Sequence, residues 1–108
     1  MNITSFINAL TDRLNEHKKA TGLTYFETYR VEATEGKKYF KIYKTEMLHN
    51  GHPFSHRSLV AFVDKTTGDI FKPASFAAPA KHSRGNVLSF SNGMEAISPD
   101  GFVYYLRG

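Results

Sequence analysis

Residues 24–46 read TYFETYRVEATEGKKYFKIYKTE, and the alternation of apolar and polar positions in this stretch decides the fold. Tyr29, Val31, Phe40 and Ile42 occupy one side of a period of two, while Arg30, Glu32, Tyr39, Lys41 and Tyr43 occupy the other. That period belongs to strands half-buried against a core. The run divides around Glu35-Gly36 into two strands, about Tyr25–Ala33 and Lys38–Glu46. A two-residue turn there sets Val31 opposite Phe40 and Tyr29 opposite Ile42, so both apolar pairs share a face. On the other face the same register sets Glu32 by Tyr39, Arg30 by Lys41 and Thr28 by Tyr43. Arg30 facing Lys41 is a repulsive pair, a local conflict of the kind that accompanies binding surfaces. Splaying of the two long side chains into water would relieve it.

Upstream the period is helical. Ile3, Phe6, Ile7, Leu10 and Leu14 form one stripe, with Asn8, Asp12, Arg13, Glu16 and Lys19 elsewhere on the wheel. This predicts an amphipathic helix of roughly four to five turns. Lys18 and Lys19 suit its C-terminal end, and Gly22 terminates it. Its polar face is not strongly cationic, so the stripe reads as docked on a sheet rather than on a membrane. Downstream, SLVAFVD (58–64) is nearly continuously apolar, as a central strand covered on both faces requires. DKTTGDIFK (64–72) predicts a hairpin in which Gly68 supplies a positive φ and Asp64 hydrogen-bonds the turn. SPDG (98–101) reads as a turn feeding a short final strand in FVYYL, and Asn92–Ile97 fits one helical turn. The expected architecture is α+β: a single domain over residues 1–108, one N-terminal amphipathic helix packed on a four- to five-stranded antiparallel sheet.

With 108 residues, nine Phe and six Tyr, the chain can bury enough apolar area to offset its ordering entropy. It has no cysteine, which excludes a disulfide framework and a Cys-type zinc site and fits a reducing compartment. The N-terminal residues have the pattern of neither a signal peptide nor a membrane span, so a soluble cytoplasmic protein with no membrane partner is expected. Between Lys37 and Arg84 nine Lys/Arg stand against three Asp/Glu, although the net charge of the chain is only +4. Segregation of this kind suggests a positive face for an anionic partner, and an ordinary solvated surface accounts for it equally.

The candidate chemistry lies in three places. His49, His52 and His56 sit close enough in sequence to suggest a metal site, but their spacing matches no zinc signature and no acidic residue lies between them. No P-loop, G-x-G-x-x-G or nucleophile elbow occurs, and no cofactor or catalytic residue is nominated. Tyr39, Lys41 and Tyr43, with Arg30 beside them, offer rings for stacking and cations for phosphates. Finally, Lys81, His82, Ser83, Arg84 and Gly85 form a compact basic loop in which small residues and Gly85 allow close approach of an anion. Pro73–Ala80 reads as a stiff strap, anchored on the core by Phe76 with its alanines packed flat, that presents Lys81–Asn86.

TGDIFKPASFAAPAKHSRGN (67–86) resembles a segment of small uncharacterised proteins of tailed bacteriophages, T-G-D-[IV]-x-K-P-A-S-W followed by A-P-A-K-H-x-R-G-N. Phe76 replaces the Trp, keeping an aromatic ring and losing its indole N–H. The resemblance implies a phage accessory protein acting in the host bacterial cytoplasm, and it carries over no catalytic residue. The expected function is a non-enzymatic binder of nucleic acid or a nucleotide. The alternatives are a protein that modulates a host defence, transcription or replication system, and a metal-dependent hydrolase using the histidine loop. Unpaired sheet edges also suggest a homodimer.

Overall fold

The computed structural model describes residues 2–105. Helix α1 (Thr4–Thr21) buries Phe6, Leu10 and Leu14, the centre of the predicted stripe. It ends where Gly22 turns left-handed at φ 71°, directing its own N–H and that of Leu23 back to the carbonyls of Lys19 and Lys18. Strands β1 (Thr28–Glu35), β2 (Tyr39–Met47), β3 (Ser58–Asp64), β4 (Asp69–Phe71) and β5 (Gly85–Asn86) follow. They form one antiparallel sheet in the spatial order β1-β2-β3-β4-β5. The chain therefore has the α+β architecture expected of it, with each strand hydrogen-bonded to its sequence neighbour.

The register of β1 on β2 differs from the expectation. Glu35 faces Phe40, Ala33 faces Ile42 and Val31 faces Lys44, so the turn between the strands is longer than two residues. Gly36 N–H closes that turn on Tyr39 C=O at 2.9 Å, and Lys65 Nζ braces it through Glu35 Oε2 and Gly36 O. Each β1 residue consequently meets a β2 residue four places from the expected one. An even shift preserves the faces and changes every partner. Arg30 lies opposite Thr45 rather than Lys41, and it pairs with Glu32 at 3.2 Å. The repulsive pair does not form.

Ile42, Ala61, Val63 and Ile70 point to the helix side, where Leu10 and Leu14 meet them in one core cluster. A bulge opposite Ile42/Tyr43 leaves Val60 without a partner on β2, and Val60–Val63 are all buried. The β3–β4 hairpin has the predicted chemistry: Gly68 adopts φ 81° and Asp64 Oδ1 accepts from Thr66 N–H and Thr67 N–H. The C-terminal segment completes the core with Val87, Ala96, Ile97 and Val103. A short 3-10 turn, η1 (Met94–Ala96), lies within the stretch predicted to make one helical turn. Arg13, predicted to lie off the apolar stripe, reaches this segment and donates to the carbonyls of Met94 and Ile97. The expected final strand is reduced to one bridge between Ile97 and Val103 among the described residues, and Leu106 lies outside them.

Residues 72–80 form a small hairpin of their own. Ala80 N–H bonds Lys72 C=O, Pro73 bridges Pro79, and Ser75 Oγ accepts from Ala77 N–H and Ala78 N–H. Because the segment satisfies its own backbone, its tip does not need the sheet. Ala74–Ala78 are exposed and Phe76 is 67% exposed, so the flat packing and the Phe76 anchor expected of this strap are not present. The attachment runs the other way, with Lys41 Nζ donating to Phe76 C=O at 2.6 Å.

Candidate nucleic-acid interface

On the sheet face opposite α1, β2 and β3 put Tyr39, Lys41, Tyr43 and Phe62 side by side. The 72–80 hairpin brings Ala77 to this surface, and the β1–β2 turn brings Lys37 and Lys38. Together with Arg57 they line a groove of about 380 Å³. The guanidinium of Arg57 lies 4.0 Å over the Tyr43 ring, Lys38 lies over Tyr39, and Lys41 lies over Phe62. Cation–π contacts of this sort hold charged heads over a surface without neutralising them. Among the lining residues the carboxylate is Glu35, and Lys65 already engages it at 2.6 Å. That hydrogen bond and the lysine charge hold the Glu35 carboxyl below its ordinary range. The groove thus gathers Lys37, Lys38, Lys41 and Arg57 around an aromatic floor, with its acidic residue engaged by a cation outside the lining.

A family model described as a family of unknown function, DUF7717, matches residues 1–105. The chain belongs to the DUF7717 family. No curated protein and no solved structure matches it.

The structure divides the predicted site of this DUF7717 protein. Tyr39 and Lys41 are half-buried in the groove, whereas Tyr43 is only 4% exposed beneath Arg57 and offers no stacking face. Arg30 shares the sheet face but is engaged by Glu32 on the edge strand. Lys81, His82, Ser83, Arg84 and Gly85 lead into and begin β5, four strand spacings from β1, or roughly 19 Å. They form no common surface with Arg30. Arg84 is not displayed either, because its guanidinium donates to the carbonyls of Lys81 and His82 and closes the loop on itself. Gly85 serves packing: a Cβ there would stand 2.6 Å from Glu95 Oε2. With Asp69 Oδ1 3.3 Å from Ser83 Oγ, two carboxylates border the loop and oppose an anion.

The histidines do not converge. His49 is exposed and pairs with Glu27 at 3.0 Å, His52 and His56 are exposed, and no group of three potential ligands could hold a metal among the described residues. No helix among the described residues is long and apolar enough to cross a membrane. Sequence reasoning missed Lys37, Lys38, Arg57 and Phe62. The GKK turn carried a signal for the two lysines, since basic residues beside a strand already nominated for binding extend its charge. Arg57 carried none, because its place over Tyr43 follows from the path of the 48–57 loop, which bonds Phe54 N–H to Glu46 C=O and bridges Met47 to Pro53.

Proposed function

We propose that this groove binds the phosphate backbone of single-stranded nucleic acid and that the protein acts as a non-enzymatic binder. The observation that carries this reading is the convergence of four cations from three separate segments on one groove whose carboxylate is already engaged. Of the groove rings, Tyr43 and Phe62 are buried and only Tyr39 is partly exposed, so stacking is secondary to phosphate contact. The resemblance of Thr67–Asn86 to phage proteins supports an accessory role in an infected bacterial cell.

Fluorescence anisotropy with labelled single-stranded DNA and RNA tests the reading. Four phosphate contacts predict log K falling against log salt with a slope of about −3. Lys38→Ala, Lys41→Ala and Arg57→Ala should each lower that slope by about 1, while Lys81→Ala should leave it unchanged. Groove variants that bind as wild type does would remove the assignment. Competition by free nucleotides separates a strand binder from a nucleotide binder.

A specific observation favours a second reading, a protein that docks on a host protein. Phe90 is fully exposed and Leu88 largely so, on a loop held by Glu95, whose carboxylate accepts from Ser89 Oγ, Ser91 Oγ and Asn86 N–H. A rigid loop carrying an exposed ring suits an anchor residue. A protein retained from nuclease-treated lysate by wild type and lost with Phe90→Ala would support it.

A further inference from the structure

The two edges of the sheet are treated differently. β5 is two residues long, and Glu95 covers it by accepting Asn86 N–H at 2.9 Å. β1 is eight residues long and carries no Pro, Lys or bulge within Thr28–Glu35, three of the usual devices that protect an edge, and its charged residues, Arg30, Glu32 and Glu35, are of both signs. Gly36 N–H bonds the residue directly opposite it on β2, which places the even-numbered residues of β1 at the positions bonded to β2. Tyr29, Val31 and Ala33 therefore turn their N–H and C=O groups to the open edge. Asn15 Oδ1 takes the N–H of Tyr29 at 2.8 Å. No hydrogen bond is found for the edge-facing groups of Val31 or Ala33 among the described residues. A groove of about 500 Å³, lined in part by Ile7, Thr11, Tyr29, Val31 and Met47, runs beside this edge.

We infer that the occupant of this edge is β1 of a second copy, paired antiparallel about a two-fold axis at Val31. In that register Val31 exchanges both hydrogen bonds with Val31 of the second copy, and Ala33 N–H reaches Tyr29 C=O in each direction. Asn15 blocks the reciprocal bond at Tyr29 and so limits how far the ladder extends. Charge selects this register from its neighbours. Arg30 falls opposite Glu32 of the second copy, and Glu32 opposite Arg30, at non-hydrogen-bonded positions where side chains approach most closely. The Arg30–Glu32 pair of each chain, 3.2 Å apart, thereby becomes a ring of four alternating charges. Moving the axis to Arg30 or to Glu32 sets like charges face to face, and moving it to Ala33 leaves Arg30 without a carboxylate opposite. An isologous closed dimer results. Its axis is perpendicular to the sheet, so the two Lys41/Arg57 grooves lie on the same side of one continuous sheet. The pairing does not rest on what those grooves bind.

Light scattering coupled to size exclusion over a dilution series reads the mass directly. Wild type should give twice the 12.2 kDa of one chain, dissociating on dilution. Arg30→Glu alone and Glu32→Arg alone should each give the monomer mass. An equimolar mixture of the two should recover the dimer, because the chain with only glutamates at these two positions then faces the chain with only arginines. Val31→Pro removes the central donor at an edge where proline is tolerated, and should give a monomer with an unchanged circular dichroism spectrum. A monomeric wild type at every concentration overturns the inference. So does dimerisation of either single charge variant, or a mixture that stays monomeric.

Discussion

Glu95 shows how one side chain can organise a segment. Burial by itself would raise its carboxyl, but the Ser89 and Ser91 hydroxyls and the Asn86 N–H outweigh it and hold the group at about 2, against an ordinary 4.5. A carboxyl depressed on folding contributes stability that is complete above pH 4.5 and is lost as pH falls towards 2. Because the group is largely solvent-screened, the contribution is about 1–2 kcal/mol. Urea unfolding of Glu95→Gln should show that loss at neutral pH and a shallower decline through the acid range than wild type. Two glycines separate backbone strain from packing in the same way. Gly22 (φ 71°) has open space where a methyl group would stand, whereas a Cβ at Gly101 (φ 88°) would collide with Leu14 Cδ2. Gly22→Ala should cost about 1 kcal/mol and Gly101→Ala about 2–4 kcal/mol, measured by chemical denaturation.

At the scale of elements, the helix and the sheet were legible because their periods differ and each is a local property. Phe6, Leu10 and Leu14 could face only a core. The face assignment of β1 and β2 was legible too, and survived a wrong register because the shift was even. The register was not legible, because it depends on whether Gly36-Lys37-Lys38 closes as a two-residue or a longer turn. Lys65, a residue of the following hairpin, helps to hold the longer one. The 72–80 strap failed for a related reason: its prolines and alanines do not show whether the backbone bonds to the sheet or to itself. Lys41→Met retains the aliphatic stem and removes the bond to Phe76 C=O, at a cost of about 0.5–1.5 kcal/mol. Hydrogen exchange should quicken in the amides of Ala74–Ala80 and remain unchanged in β2 and β3.

At the scale of the molecule, one apolar layer joins α1, the sheet and the C-terminal segment, so a defect in it is felt by every element. Leu14, fully buried between Gly101 and the sheet, tests this: Leu14→Ala should cost about 2–5 kcal/mol, with a single coincident unfolding transition by fluorescence and circular dichroism. The candidate site behaves differently. Tyr39 and Lys41 were visible as an outward alternation on one strand, while Arg57, Lys38 and Ala77 join them only through a loop, a turn and a hairpin that meet over the opposite sheet face. The basic loop at Lys81–Gly85 stood out in sequence because its charges are contiguous. In three dimensions two carboxylates border it and the Arg84 guanidinium donates to the carbonyls of Lys81 and His82. The sequence by itself determined the fold class, the core stripe of α1, the faces of the strands and the β3–β4 turn, all of which depend on periodicity or on chemistry within a few residues. The tertiary structure alone decided the strand register, the path of the strap and which cations share a groove. Those depend on how hydrogen bonds close each turn and hairpin and on which segments meet in space, neither of which residue periodicity encodes.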